Sequence, residues 1–163
     1  MALAALSVLI VDDHPHMRSI LHQVVKSAGV ERIHLAKDSA EALRIIHDQD
    51  IDILITDLIM EPLDGIDLVR LIRRSPDSTK PLLPILMVTG HMTLSRIQEA
   101  RDAGVNEFAA KPISVKAVLE RLAAIIDRPR DFIRAEEYFG PDRRRRKSPE
   151  ETKPQRRKND TQP

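Results

Sequence analysis

Short apolar runs alternate along the first three quarters of the chain with segments whose apolar residues recur at helical spacing. The runs are LSVLIV (6–11), RIHLA (32–36), IDILIT (51–56), LPILMV (83–88) and NEFAA (106–110). Three of them are almost continuous in Val, Ile and Leu, which is typical of strands buried on both faces of a parallel sheet. The pattern therefore predicts five strands.

A helical pattern follows each of the five runs. The first predicted helix has Pro15 in its first turn and Gly29 at its exit. The second is expected to begin at Asp38, which together with Glu41 resembles a capping box. The other three are predicted at about 65–74, 93–103 and 115–126. A strand and a helix repeated five times indicate a parallel sheet with helices on both faces and right-handed crossovers.

Polar residues stand at the predicted carboxyl ends of four strands, which is where parallel α/β sheets bind ligands. They are Asp12, Asp13, Asp57, Thr89 and Lys111. Three converging carboxylates need a counter-charge, and Mg²⁺ suits an oxygen-only site. The lysine and the hydroxyl suggest that an anionic ligand binds at the same edge. Phosphoryl transfer to a carboxylate would account for both the cation and the anionic ligand. Any one of these acids alone would more simply be read as a turn or helix-cap residue.

These residues carry a resemblance to a known family. The motifs are VDDH after the first strand, ITDLIMEPLDGIDL around Asp57, VTGH after the fourth strand and GVNEFAAKPI around Lys111. From Leu6 to about Ile126 the chain resembles a CheY-like response-regulator receiver domain of two-component signalling. The resemblance implies a flavodoxin-like (βα)5 α/β fold with a doubly wound, five-stranded parallel sheet in the order 2-1-3-4-5.

The resemblance also implies roles for the site residues. Asp57 would accept the phosphoryl group, Thr89 would hydrogen-bond a phosphoryl oxygen, and Lys111 would pair with that group or with Asp57. The implied ligands of Mg²⁺ are Asp12, Asp13, Asp57 and the backbone carbonyl of Ile59. The Lys111–Pro112 bond would be cis. Phe108 would be the aromatic switch residue, with an ordinary core residue as the alternative.

Two positions implied to tune hydrolysis flank the phosphoryl group, namely Ile59 and His91. Ile59 cannot orient a water by hydrogen bonding, so we expect slow self-dephosphorylation. A phosphatase of the haloacid-dehalogenase type is not expected, because Ile59 stands where that chemistry needs a second acid. We expect no enzyme activity beyond phosphotransfer and self-dephosphorylation. His14 and His16 are interpreted as exposed helix residues that could face a kinase, and a transition-metal site is the less favoured alternative.

Composition adds the expectation of a cytoplasmic location without membrane insertion. The absence of cysteine excludes disulfides and thiolate zinc sites. No apolar run approaches the roughly 18 residues that a membrane span requires. The beginning MALAALSVLIVDD lacks the basic region of a signal peptide and reads as a first strand.

Charge separates a body from an extension. Residues 1–129 hold 15 Lys and Arg against 18 Asp and Glu, whereas residues 130–163 hold 11 against 7. We therefore predict a receiver domain at 1–128 and a basic, Pro- and Arg-rich extension at 129–163, too short for a conventional DNA-binding domain. Its last fifteen or so residues are expected to be disordered.

The extension contains the motif YFGPDRRRRK, which admits three interpretations. The candidate partner-binding residues are Tyr138, Phe139, Arg143, Arg144, Arg145 and Arg146. They could dock a protein partner, contact nucleic acid through its phosphates, or belong to a solvated segment. We expect residues 130–140 to pack near the face formed by the fourth helix, fifth strand and fifth helix, and to respond to phosphorylation.

The function predicted is that of a single-domain response regulator. It would accept a phosphoryl group on Asp57 from a sensor histidine kinase or a histidine phosphotransfer protein, with Mg²⁺ as cofactor. It would then signal to a downstream protein through altered contacts. The alternatives are a phosphate sink or relay intermediate, and a regulator that binds nucleic acid through its extension.

Overall fold

The structure, a computed structural model, describes residues 2–90, 92–134 and 138–142. A short 3-10 helix at Leu3–Ala5 precedes the main elements. The strands are β1 (Ser7–Val11), β2 (Arg32–Ala36), β3 (Ile53–Thr56), β4 (Ile85–Thr89), β5 (Glu107–Ala110), β6 (Phe132–Arg134) and β7 (Phe139–Pro141). The helices are α1 (Pro15–Ser27), α2 (Ser39–Asp48), α3 (Gly65–Arg74), α4 (Leu94–Ala103) and α5 (Val115–Asp127). Within the described part of the chain, every helix is too short or too polar to cross a membrane.

Strands β1 to β5 form one parallel sheet in the order β2-β1-β3-β4-β5. The predicted flavodoxin-like fold and its strand order are therefore confirmed. Val11 pairs with Thr56, and Thr89 pairs with Ala110. This register aligns the carboxyl ends of the strands along one edge of the sheet, which is where the predicted polar residues stand.

Helices cover both faces of the sheet, as the apolar runs predicted. Alternate residues of β1 point to opposite faces. Leu9 belongs to a cluster that includes residues of α2, α3 and α4, such as Ile46 and Ile72. Ile10 belongs to a second cluster that includes residues of α1 and α5, such as Val25. Every residue of β1, β3 and β4 is buried, so these central strands are anchored from both sides.

Side chains at the helix starts account for several boundaries. The Asp38 carboxylate accepts a hydrogen bond from Glu41 N at 2.8 Å, as the capping pattern predicted. The Asp64 carboxylate does the same for Asp67 N at 2.8 Å, which begins α3. Pro15 occupies the first position of α1, where its missing N–H leaves no bond unmade.

The extension contains structure that the sequence pattern did not predict. β6 and β7 pair antiparallel, and β7 contacts α3 and α4. The expected position near the face of α4, β5 and α5 is therefore corrected for the strand pair, which packs at the ends of α3 and α4. Arg130 does lie at the expected face, with Nη2 3.5 Å from Glu107 Oε1 of β5. His91, Arg143, Arg144, Arg145, Arg146 and the terminal segment expected to be disordered lie outside the described residues.

Gly65 provides a test of how the loop after β3 is packed. A Cβ on this residue would lie 2.0 Å from Asp57 O and 3.1 Å from Leu58 Cα. Because backbone atoms cannot yield as flexible side-chain ends do, Gly65→Ala is expected to lower the free energy of unfolding by about 3 kcal/mol in urea denaturation. Gly90→Ala is the matched control, since a Cβ there meets nothing within 4 Å. Equal stability of the two variants would contradict this packing.

Candidate functional site

The carboxyl ends of four strands bring together the polar residues predicted from the sequence. Asp12 follows β1, Asp57 follows β3, Thr89 is the last residue of β4, and Lys111 follows β5. Asp57 N donates a hydrogen bond to Val11 O at 3.2 Å, and Lys111 N donates to Thr89 O at 3.1 Å. Backbone hydrogen bonds that continue beyond the strand ends therefore fix the main-chain positions from which these side chains extend.

A buried ion bridge joins three of these residues. Lys111 Nζ lies 2.9 Å from Asp57 Oδ2 and 3.1 Å from Asp12 Oδ2. The side chain of Asp12 is fully buried, and those of Asp57 and Lys111 are 8% and 16% exposed. Burial alone would lower the pKa of Lys111, but the hydrogen bonds and negative charges of Asp57 and Asp12 outweigh it and raise that pKa. Lys111 is therefore a cation at neutral pH, held between two carboxylates.

The backbone holds the remaining oxygens of both carboxylates. Asp57 Oδ1 accepts a hydrogen bond from Leu58 N at 2.7 Å, and Asp12 Oδ1 accepts one from His14 N at 2.9 Å. Each carboxylate thus has one oxygen on a main-chain N–H and the other on Lys111. This arrangement fixes the orientation of both groups before any ligand arrives.

Asp13 and His14 extend the acidic cluster toward solvent. Asp13 Oδ1 is buried and accepts no hydrogen bond from any residue that the structure describes. His14 Nδ1 lies 2.9 Å from this oxygen without forming a hydrogen bond to it. Asp12, Asp13 and His14 each offer one ligand atom, and these atoms all lie within 4.8 Å of one another. A buried carboxylate oxygen without a donor, next to a second carboxylate, fits a metal cation.

His14 has a larger part in this cluster than the sequence suggested. Its side chain is 71% exposed, as expected for a residue at the start of α1. However, its ring also stands beside both acids, so the cluster includes a nitrogen atom that could ligate a metal ion. The adjacency of the three residues in the sequence was the available signal. The turn from β1 into α1 brings the three side chains together, and sequence spacing alone does not show that.

An opening of about 400 Å³ gives access to Asp57. Its lining residues are His14, His16, Met17, Asp57, Ile59, Gly90 and Lys111. Gly90 adds no side chain, and a Cβ there would stand in open space. Ile59 is 46% exposed and presents only an aliphatic side chain to the opening. The role of the Ile59 carbonyl as a metal ligand stays a prediction.

Phe108 is half-buried in β5 and is packed against the core cluster beneath α4. The Arg101 guanidinium carbon lies 5.8 Å from the centre of its ring. The ring therefore stands at the edge of the core with a cation on its outer side. This position is compatible with a switch residue and with a core residue, and the switch role stays a prediction.

The aromatic residues of the extension contact their own strand pair. Tyr138 Oη donates a hydrogen bond to Pro141 O at 2.6 Å, and the Phe139 and Phe132 ring centres are 5.9 Å apart. The docking of Tyr138 and Phe139 on a partner stays a prediction.

The cis peptide bond expected at Lys111–Pro112 is confirmed, and a second one occurs at Glu61–Pro62.

Removal of Lys111 tests the electrostatics of the site. Lys111→Met would leave Asp12 and Asp57 buried without their shared cation, so we expect the free energy of unfolding to fall by about 3 kcal/mol in metal-free buffer. An added divalent cation should raise the free energy of unfolding of this variant more than that of the wild type. Lys116→Met is the control, because that side chain is 87% exposed. Equal stability of Lys111→Met and the wild type would contradict the buried bridge.

Comparisons with known proteins agree with this geometry. The family profile of the response regulator receiver domain matches residues 8–123. The chemotaxis protein CheY of Pseudomonas aeruginosa is 36% identical over 123 residues, which cover 76% of this chain and 98% of that protein. CheY-3 of Vibrio cholerae is 35% identical over 123 residues, which cover 76% of this chain and 93% of that protein.

Solved structures show the same fold. The chemotaxis protein CheY4 of Vibrio cholerae matches with a TM-score of 0.68 at 28% identity, covering 75% of this chain and 100% of that one. A putative response regulator from Chloroflexus aurantiacus matches with a TM-score of 0.68 at 32% identity, covering 75% of this chain and 98% of that one. In each case about three quarters of this chain matches nearly the whole of the related protein.

Proposed function

Because the chain belongs to the family of response-regulator receiver domains, we propose that it accepts a phosphoryl group on Asp57 from a histidine of a partner protein. The donor would be a sensor histidine kinase or a histidine phosphotransfer protein. The observation that carries the proposal is the bridge in which Lys111 Nζ contacts both Asp57 and Asp12. It leaves a carboxylate with a fixed orientation at the bottom of an opening, beside a cation that can pair with a phosphoryl oxygen.

The proposed transfer is an in-line displacement at phosphorus. An Asp57 carboxylate oxygen attacks phosphorus in line with the phosphorus–nitrogen bond of the phosphohistidine. That bond breaks, and its electron pair stays with the imidazole, which leaves neutral because its other nitrogen carries a proton. Lys111 is held 2.9 Å from Asp57 Oδ2 and would exchange this contact for one to the new phosphoryl group. Thr89, at the end of β4, would donate a hydrogen bond from its hydroxyl to a phosphoryl oxygen.

The acidic cluster supports Mg²⁺ as the cofactor of this step. Asp12 and Asp13 would hold the ion together with Asp57 and the Ile59 carbonyl, and the buried Asp13 Oδ1 fits such a ligand. When bound, Mg²⁺ supplies positive charge against the phosphoryl oxygens. His14 Nδ1 lies 2.9 Å from Asp13 Oδ1, beside this cluster.

Altered protein contacts are the output that the surface favours. A groove of about 670 Å³ lies along α4, β5 and α5 and includes Phe108 in its lining. Arg121 and Arg130 both approach Glu107 in this groove, at 3.6 and 3.5 Å. Arg101 lies over the Phe108 ring. A target with acidic side chains would complement this face.

Asp57→Asn tests the acceptor. This variant keeps the shape of the side chain but lacks a nucleophilic carboxylate. After incubation with acetyl phosphate, intact-protein mass spectrometry should therefore show no added phosphoryl group. Removal of divalent cations with EDTA should have the same effect on the wild type. Asp77→Asn, a change at an exposed acid, should phosphorylate normally. Undiminished uptake by Asp57→Asn would exclude Asp57 as the acceptor.

Ile59→Asn tests the control of phosphoryl lifetime. The amide would offer a hydrogen bond to an attacking water, which the aliphatic Ile59 in the lining of the opening cannot do. We expect the phosphorylated variant to lose its phosphoryl group roughly tenfold faster, a change of about 1.4 kcal/mol in the barrier. The rate is measured from the decay of the phosphorylated mass after removal of the donor. Ile59→Val is the control, and equal lifetimes in all three proteins would contradict this role.

A further inference from the structure

We propose that the C-terminal clasp opposes activation by holding α4 in the position seen here. The clasp is defined as residues 132–134 and 138–141, which comprise the strand pair β6 and β7 and the adjoining Tyr138 at the ends of α3 and α4. Clasp docking and phosphorylation of Asp57 then weaken each other. The inference rests on the proposed function, because it needs Asp57 as the phosphoryl acceptor.

The first anchor of the clasp is Arg73, a buried cation near the end of α3. Its side chain is 3% exposed, and its guanidinium donates to Gly104 O at 3.0 Å, Pro81 O at 2.8 Å and Asn106 Oδ1 at 3.0 Å. Burial lowers the pKa of Arg73 to about 10, so it remains charged at neutral pH. The Phe132 ring lies 4.9 Å from the guanidinium carbon. The clasp therefore covers a cation that is otherwise held by neutral oxygens.

The second anchor is a contact between two glycine backbones. Gly104 ends α4 with a φ of 112°, a conformation that favours glycine. A Cβ on Gly140 would lie 2.9 Å from Gly104 Cα and 2.7 Å from Tyr138 Oη. Main chain thus touches main chain where β7 crosses the end of α4. A shift of α4 would change this contact directly, because no flexible side chain lies between them.

The contact with the clasp matters for α4 because the helix buries few of its own residues. Its buried residues are Ala100 and Ala103, both small. Its other contacts to the body include surface ion pairs such as that of Arg96 Nη2 with Asp64 Oδ2 at 3.2 Å. Partly exposed ion pairs of this kind contribute little to stability. The clasp therefore adds contacts at the C-terminal end of the helix, beside its two buried alanines.

The N-terminal end of α4 is close in sequence to the phosphorylation site. Thr89 ends β4, and α4 begins at Leu94 after a short connection. A phosphoryl group that accepts a hydrogen bond from the Thr89 hydroxyl would displace this connection and, through it, the helix. A clasp that favours the present position of α4 resists that pull. By linkage, phosphorylation must then loosen the clasp by the same factor by which the clasp weakens phosphoryl binding.

Beryllium fluoride, a stable mimic of the phosphoryl group, provides the test. Full-length wild type and Gly140→Ala are titrated with beryllium fluoride in Mg²⁺, while amide exchange reports protection of β6 and β7. We expect Gly140→Ala to lose protection in both strands and to bind the mimic about fivefold more tightly. In the wild type, saturation with the mimic should speed exchange in the clasp by a similar factor. Ile133→Ala is the matched control, because Ile133 lies in the same strand pair and is exposed.

Each outcome has a defined meaning. If Gly140→Ala loses clasp protection but binds the mimic within twofold of the wild type, the clasp does not oppose activation. If Gly140→Ala keeps full protection, the close contact with Gly104 is not an anchor and the inference also fails. If the wild type does not bind the mimic at all, the proposed function itself fails. A failure of the inference alone is therefore distinguishable from a failure of the proposed function.

Discussion

The bridge from Lys111 to Asp12 and Asp57 is the interaction on which the rest of the site depends. Two carboxylates this deeply buried repel each other and lose their hydration, so the structure needs a cation between them. Lys111 provides that charge and contacts both carboxylates. The remaining acid, Asp13, keeps a buried oxygen that accepts no hydrogen bond from the described residues. Lys111 thus offsets only part of the negative charge of the three acids, which leaves the site suited to a cation.

The parallel sheet makes this bridge feasible. Its register places the ends of β1, β3, β4 and β5 along one edge, and both helical layers keep the central strands from moving. Backbone hydrogen bonds past the strand ends then set the direction of each functional side chain. The strands therefore hold the functional side chains, whereas α4 buries only Ala100 and Ala103 among its residues. The C-terminal strand pair contacts both α3 and α4.

The sequence predicted the receiver body well because its signals are local and repeated. Apolar runs, capping residues such as Asp38 and polar residues after strands each report on nearby structure, and the resemblance supplied the strand order. The prediction was incomplete where structure depends on distant contacts. β6 and β7 are short, and their position depends on Arg73 and Gly104, which lie far away along the chain. The proximity of His14 to both acids likewise follows from the turn geometry between β1 and α1.

The central claim is that Asp57 forms an acyl phosphate. Borohydride reduces an acyl phosphate to an alcohol and so converts a phosphorylated aspartate into homoserine, which marks the acceptor permanently. The full-length protein is incubated with acetyl phosphate and Mg²⁺, reduced, digested and mapped by mass spectrometry. The account predicts homoserine at Asp57 and at no other acid of the cluster. Homoserine at Asp12 or Asp13, or a protein that reacts with acetyl phosphate elsewhere, would contradict it.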